Sequence, residues 1–274
     1  MRNILVMLAS RDMGRDEENI PEEQRLGYAP KRLQKVLDEL YRKCDNKDNF
    51  DIQVIIDNDQ KEMYESVKQK YPFLFWTYIE HQEKNWFNIF DAHHKLFRQN
   101  KWYFTMWVSD DMYNISKHWD SIISSKRGLF PDDLFVMYTD SRYSNRNPER
   151  HQFCYIGVPC GKYDPEGDKN SIDNFMSTVC HCEHTPIWTY RFGQFIYPIY
   201  DELKLPFWRE IIICELIKIL YLRGINRYIF CEFDYMLVDN DTTKPVENKP
   251  KFYENIKKQA IEAEAYIFNS EKNI

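Results

Sequence analysis

The chain has 274 residues, with 37 Lys and Arg against 43 Asp and Glu, a formal charge of −6, 43% hydrophobic residues and 16% aromatics. That balance excludes a largely disordered chain and a small disulfide-stapled one, and it offers no global positive field to draw nucleic acid. The length suits one large α/β domain or two small ones. Met1-Arg2-Asn3 followed by the short apolar run Ile4 to Leu8 is not a secretory signal pattern. The later apolar stretch Ile211 to Leu222 is interrupted by Glu215 and Lys218 and falls short of a membrane span. Seven cysteines at irregular spacing point to reduced thiols. The expectation is a cytoplasmic protein with no membrane span and no nucleic-acid partner.

Ile4 to Leu8 predicts the first strand, which leaves through Ala9-Ser10-Arg11-Asp12. Met13 to Ala29 is acidic, polar and without a period. A loop of that length within a compact domain is uncommon and often functional. Pro30 opens a helix to about Lys43, with Leu33, Val36, Leu37 and Leu40 on one stripe. Asp51 to Asp59 predicts a strand ending on acids, Gln60 to Lys70 a polar helix, Pro72 to Ile79 an aromatic strand, and Asn85 to Gln99 a helix. On that last helix stands the pair His93-His94, one of which is expected to face away from the core.

The next strand, Trp102 to Ser109, is an uncharged aromatic run that stops on Asp110 and Asp111. Strands and helices alternating at this spacing predict βαβ units and a largely parallel sheet. In such sheets ligands bind beyond the carboxyl ends of the strands, where paired acids can hold a divalent cation against a phosphate. Asp110 has a second reading, as the N-cap of a helix expected over Tyr113 to Ser125. No GxxxxGK[ST] loop occurs, and no GxGxxG follows the first strand, so neither familiar glycine-rich phosphate site is available.

A strand with a Ser-containing exit, a helix, a strand ending in Asp57, and later an apolar strand running into Ser109-Asp110-Asp111 together resemble the nucleotide-sugar-binding half of GT-A glycosyltransferases. The family 2 type, with its short DxD-like metal motif, is the nearest likeness, and it covers roughly residues 3 to 140. The resemblance implies a GT-A-like (Rossmann-like) α/β fold: a mostly parallel central sheet flanked by helices, with an irregular α+β acceptor half. It divides the chain into a nucleotide-sugar-binding half, 1–140, and an acceptor-binding half, 141–274. It implies transfer of a sugar from a nucleoside-diphosphate donor of UDP- or GDP-sugar type to a glycan or other hydroxyl acceptor, with inversion.

Carried onto this sequence, the resemblance puts Ala9, Ser10 and Arg11 beside the nucleotide and gives Asp57, or Asp59, the base. Lys84 faces the diphosphate, Asp110 lies near the ribose, and Asp111 with Asp110 forms the site for Mn2+ or Mg2+. Asp57 and Asp59 have the alternative of capping the next helix, and Lys84 that of a solvated lysine. The family's catalytic base is usually part of a Glu-Asp pair, absent here. Glu215, on the apolar segment before Gly224, is the first candidate for general base and Glu210 the second; both have the alternative of a salt bridge or exposed stripe.

Later in the chain, Leu134 to Tyr138 and Ile187 to Phe192 predict short strands, Pro206 to Arg223 a long helix, Tyr228 to Phe233 a strand, and Pro250 to Phe268 a helix. Cys180-His181-Cys182-Glu183-His184 packs four potential zinc ligands into five residues, but its spacing matches no standard structural zinc site. Trp188, Tyr190, Phe192, Phe195, Tyr197, Tyr200, Phe207 and Trp208 serve either as core or as a stacking surface for a sugar. Two rival functions stay open: a degenerate glycan- or partner-binding relative, and a sugar nucleotidyltransferase.

Overall fold

The computed structural model describes residues 2–12, 28–81, 87–110, 112–113, 115–141, 186–203, 217 and 227–237. The chain divides into two compact units, residues 1–127 with 233–245 and residues 128–232 with 246–274.

The first unit is built on four parallel strands. They are β1 (Arg2–Ser10), β2 (Phe50–Asp57), β3 (Phe75–Ile79) and β4 (Trp102–Ser109), in the order β3-β2-β1-β4. β1 is central, and Ile4 to Leu8 have no exposed surface. A strand covered on both faces needs an unbroken apolar run in place of alternation, and ILVML supplies it. Helix α1 (Ala29–Lys43) starts with Pro30 in its first turn and ends with Arg42 and Lys43 in its last, favourable for backbone geometry and helix dipole respectively. Its buried face consists of Ala29, Pro30, Arg32, Leu33, Val36, Leu37 and Leu40. Trp119, fully buried, donates its indole N–H to the Leu40 carbonyl at 3.0 Å.

Register sets the level of the strand exits. Ala9 lies opposite Ser109, and Ser10 opposite Ile56. Asp57 follows Ile56 and lies opposite Ile79 on β3. The last residues of β1, β2 and β4 therefore emerge at one end of the sheet.

Some elements depart from expectation. The β2–β3 connection opens with a 3-10 turn, Asn58–Tyr64, before a short helix α2 (Glu65–Lys70). β3 begins only at Phe75 because residues 72–74 turn. α3 (Phe87–Phe97) buries both His93 and His94, so neither faces away from the core. Adjacent helical residues are only 100° apart, and a wide buried face holds both. The His93 ring joins Gln53 Oε1 at 2.9 Å through Nδ1 and Thr105 Oγ1 at 2.7 Å through Nε2.

The helix expected from Tyr113 is absent at its start. Met112–Tyr113 form strand β5, paired antiparallel with Met236 and Leu237 of β8 (Tyr228–Leu237), and α4 spans only Trp119–Ser124. His118, at φ 63°, sits in the left-handed region immediately before α4, a conformation that does not continue a helix backwards.

In the second unit, β6 (Val136–Ser141) pairs antiparallel with β7 (Pro186–Thr189), and the Val136 N–H donates to the Arg227 carbonyl at 3.0 Å. The strand expected over Ile187 to Phe192 stops at Thr189, and helix α5 (Tyr190–Leu203) begins. Thr189 Oγ1 accepts the Phe192 N–H at 3.1 Å, a capping bond that starts the helix. Trp188, Phe192 and Tyr197 are buried. A Cβ on Gly193 would stand 2.8 Å from the Tyr197 hydroxyl oxygen, so any other residue here would make the Tyr197 ring shift. Of the helix expected over 206–223 only Ile217 is described, helical and fully buried, and the helix expected over 250–268 lies outside the described residues.

Among the described residues no helix is long and apolar enough to cross a membrane.

Candidate functional site

Two groups of polar side chains occupy the strand exits of the first unit. The inner one centres on Asp110, directly after β4 and 7% exposed. Its Oδ2 accepts the Ser10 hydroxyl at 2.7 Å, and Arg32 Nε and Nη2 at 3.3 Å each. Because Ser10 donates its only hydroxyl hydrogen to the carboxylate, the 2.9 Å contact between Ser10 and Tyr64 runs from the Tyr64 O–H to Ser10 Oγ. Arg32 is 2% exposed and Tyr64 1% exposed. Burial pushes the Tyr64 phenol well above its ordinary value, which keeps it the donor of that bond.

The outer group centres on Arg11, the first residue after β1. Its guanidinium forks onto Asp59, with Nη1 to Oδ1 and Nη2 to Oδ2 both 3.0 Å, and Nη1 also bonds Asp57 Oδ2. His81, two residues beyond β3, meets the same Asp57 oxygen through Nδ1 at 3.0 Å. A carboxylate only accepts, so Nδ1 carries the hydrogen. The Arg11 hydrogen bonds hold Asp59 below the usual carboxylate range, and the Asp59 bond raises Arg11 in turn. Asp12 and Gln60 clasp each other: the Asp12 N–H donates to Gln60 Oε1 and Gln60 Nε2 to the Asp12 carbonyl, both at 2.8 Å. This fixes the chain leaving β1 against the 3-10 turn after β2.

Of the residues singled out in the sequence, Ser10, Arg11, Asp57, Asp59 and Asp110 come together at these exits. Ala9 does not join them; it packs against the Met7, Ile55 and Phe90 cluster. Asp57 precedes the 3-10 turn but makes no capping bond, and Asp110 stands before a strand and not before a helix. Lys84, Asp111, Glu210, Glu215 and Cys180 to His184 lie outside the described residues.

Among the described residues no group of three or more His, Cys, Asp or Glu is arranged to hold a metal ion. On Asp110 one oxygen, Oδ2, takes three donors, and the Arg32 guanidinium supplies positive charge beside it. Arg32, Tyr64 and His81 were missed in the sequence. Arg32 had a signal, since it falls four and eight residues before Val36 and Leu40, on the stripe that α1 buries. His81 had a weaker one, its place just past a strand end.

No protein-family model matches the sequence, and no curated protein matches it either. Solved structures do resemble it. S. aureus TarS residues 1–349 in complex with UDP-GlcNAc superpose with a TM-score of 0.53 at 12% identity, covering 96% of this chain and 69% of that one. Glucosyl-3-phosphoglycerate synthase from Mycobacterium tuberculosis, in complex with Mn2+, UDP and phosphoglyceric acid, gives 0.50 at 10% identity, covering 96% and 78%. Against a longer TarS structure the score is 0.50 at 13% identity, and this chain spans 39% of that one. At these identities the likeness is one of fold. The fold is GT-A-like, as expected: a mostly parallel sheet flanked by helices in the manner of the nucleotide-diphospho-sugar transferases.

Proposed function

We propose that this chain is a glycosyltransferase that moves a sugar from a nucleoside-diphosphate donor to an acceptor hydroxyl. The observation that carries this is the gathering of Ser10, Arg11, Asp57, Asp59 and Asp110 at the carboxyl ends of β1, β2 and β4 in a GT-A-like sheet, where ligands of open α/β sheets bind. In this reading Asp57 accepts an N–H of the donor base, with Asp59 and Arg11 holding the rim around it. Ser10 and Asp110 lie at the ribose, and Lys84 faces the diphosphate. Asp111 takes the Mn2+ or Mg2+, which when bound adds positive charge at the leaving diphosphate. Glu215, or failing it Glu210, removes the proton of the acceptor hydroxyl as general base, and attack from the opposite face inverts the anomeric centre.

Thermal denaturation with UDP, GDP or TDP, with and without Mn2+, tests the donor site, because a ligand that binds only the folded state raises Tm by mass action. A Mn2+-dependent rise with one of them, lost in Asp111→Ala, is the expected result. Product analysis then separates the chemistries: a transferase releases the nucleoside diphosphate from its sugar donor, whereas a nucleotidyltransferase releases pyrophosphate. No shift with any nucleotide overturns the reading and leaves a binding module.

A further inference from the structure

We propose that the base of the donor is guanine, read by Asp57 and Asp59 in the place that the Arg11 guanidinium takes on them. The inference rests on the glycosyltransferase reading above and narrows its donor to a guanosine-diphosphate sugar.

Three hydrogens of Arg11 define the slot. Nη1 spans the two acids, donating one hydrogen to Asp59 Oδ1 at 3.0 Å and the other to Asp57 Oδ2, while Nη2 donates to Asp59 Oδ2 at 3.0 Å. Guanine carries the same unit on its pairing edge. A ring N–H and an exocyclic NH2 share one carbon there, and together they form a guanidine group. With the amino group in the place of Nη1 and the ring N–H in the place of Nη2, each of its three hydrogens meets an oxygen that accepts from Arg11. The other common bases do not match. Uracil and thymine offer one N–H between two carbonyls, whose oxygens would face carboxylate oxygens. Cytosine and adenine set an amino group beside an unprotonated ring nitrogen. Discrimination therefore comes from repulsion of the wrong edge as well as attraction of the right one.

The slot can change occupant without losing its shape. Arg11 is three-quarters buried but Asp59 is half-exposed, so their ion pair is weak and readily exchanged. Asp57 is buried and stays held by His81, whose Nδ1 donates to the same Oδ2 at 3.0 Å. The Asp12–Gln60 clasp ties the residue after Arg11 to the residue after Asp59, so Asp59 keeps its place when the Arg11 side chain moves off. A neutral guanine in place of a guanidinium leaves two carboxylates near each other, and the water around Asp59 screens that charge.

Calorimetric titration of GDP, IDP and UDP, each with Mn2+, into wild type, Asp59→Asn and Arg11→Met tests the assignment. IDP keeps the ring N–H of guanine and lacks the amino group. Wild type is expected to bind GDP about tenfold or more tighter than IDP or UDP, the order of one hydrogen bond to a charged group. Asp59→Asn turns one acceptor of the fork into a donor, and the ratio of GDP to UDP affinity falls by about tenfold. Arg11→Met removes the side chain that guanine must displace, and the same ratio rises by about threefold. The ratio cancels whatever either substitution does at the diphosphate, which both nucleotides share. Wild type that binds UDP as tightly as GDP, or IDP as tightly as GDP, overturns the guanine assignment and leaves the glycosyltransferase reading standing. A GDP preference undiminished in Asp59→Asn, or not raised in Arg11→Met, also overturns it and makes the cluster purely structural. Failure of wild type to bind any of the three overturns the glycosyltransferase reading itself, an outcome distinct from the others.

Discussion

The inner and outer charge clusters are built from the same chemistry, an arginine on aspartates, and differ in burial. Arg32 and Asp110 have side chains 2% and 9% exposed, whereas Arg11 is 25% exposed and its forked partner Asp59 52%. Burial decides what each pair does. An exposed ion pair contributes about 0–1 kcal/mol and exchanges partners readily. A buried one adds little net stability, because desolvation offsets attraction, yet removing one partner strands a charge in the interior. The inner cluster is thus a fixed part of the fold and the Arg11–Asp59 pair of the outer one an adjustable rim.

The sharpest way to break this contrast is to remove one partner of the inner pair. Asp110→Ala, or Arg32→Met, is expected to lower stability by about 3–5 kcal/mol in urea denaturation. Replacing both, as Arg32→Met with Asp110→Leu, recovers most of that loss, giving a coupling of about 2 kcal/mol or more in a double-mutant cycle. If the single substitutions are near neutral, Asp110 is not held in the interior as described. A practical consequence follows: Asp110 variants confound loss of folding with loss of function, so Asp111 is the cleaner probe of the metal.

A buried carboxylate can also be held by backbone N–H groups. Asp120, with no exposed surface, accepts the backbone N–H groups of Asp45 at 2.8 Å and Asn46 at 3.1 Å. Asp120→Ala leaves those donors without their acceptor and is expected to cost about 1–3 kcal/mol. Tyr64→Phe removes only the hydroxyl that donates to Ser10. It is expected to cost about 1 kcal/mol, measured as a shift in urea midpoint at unchanged m-value.

The same division explains what could be read from the sequence. The exits of β1, β2 and β4 were legible because each apolar run ends where its strand ends, at Ser10, at Asp57 and just before Asp110. The alternation of strands and helices made the parallel direction of these strands legible, because a crossover helix returns the chain to the same end of the sheet, but it left their order β3-β2-β1-β4 open. Arg32 was not read as part of the site, although its spacing put it on the buried stripe, because a charged residue is ordinarily assigned to solvent. β5 falls where the sequence predicts helix: a two-residue strand has no period of its own, and its pairing with Met236 and Leu237 is a contact made at long sequence distance. The start of α5 was missed because PIWT and the helix after it are equally apolar; the boundary is set by one hydroxyl, Thr189 Oγ1, on one N–H.

The smallest expected effect concerns the rim. Asp59 is held below the usual carboxylate range, first by its hydrogen bonds with Arg11. A depressed folded-state pKa means that the group's contribution to stability is present above its unfolded value, near 4, and is lost as pH falls through the folded value. Half-exposed as Asp59 is, that contribution is small, and the urea midpoint of Asp59→Asn at pH 7 is expected to match wild type within error. Titration is the more sensitive measurement. Followed by carboxyl carbon NMR between pH 2 and 6, Asp59 should titrate below an ordinary aspartate in wild type and return toward the ordinary value in Arg11→Met. An Asp59 that titrates normally in wild type would mean that Arg11 does not stay on it in solution. In that case the rim is open before any ligand arrives, and the contrast between a fixed inner pair and an adjustable outer one becomes wider still.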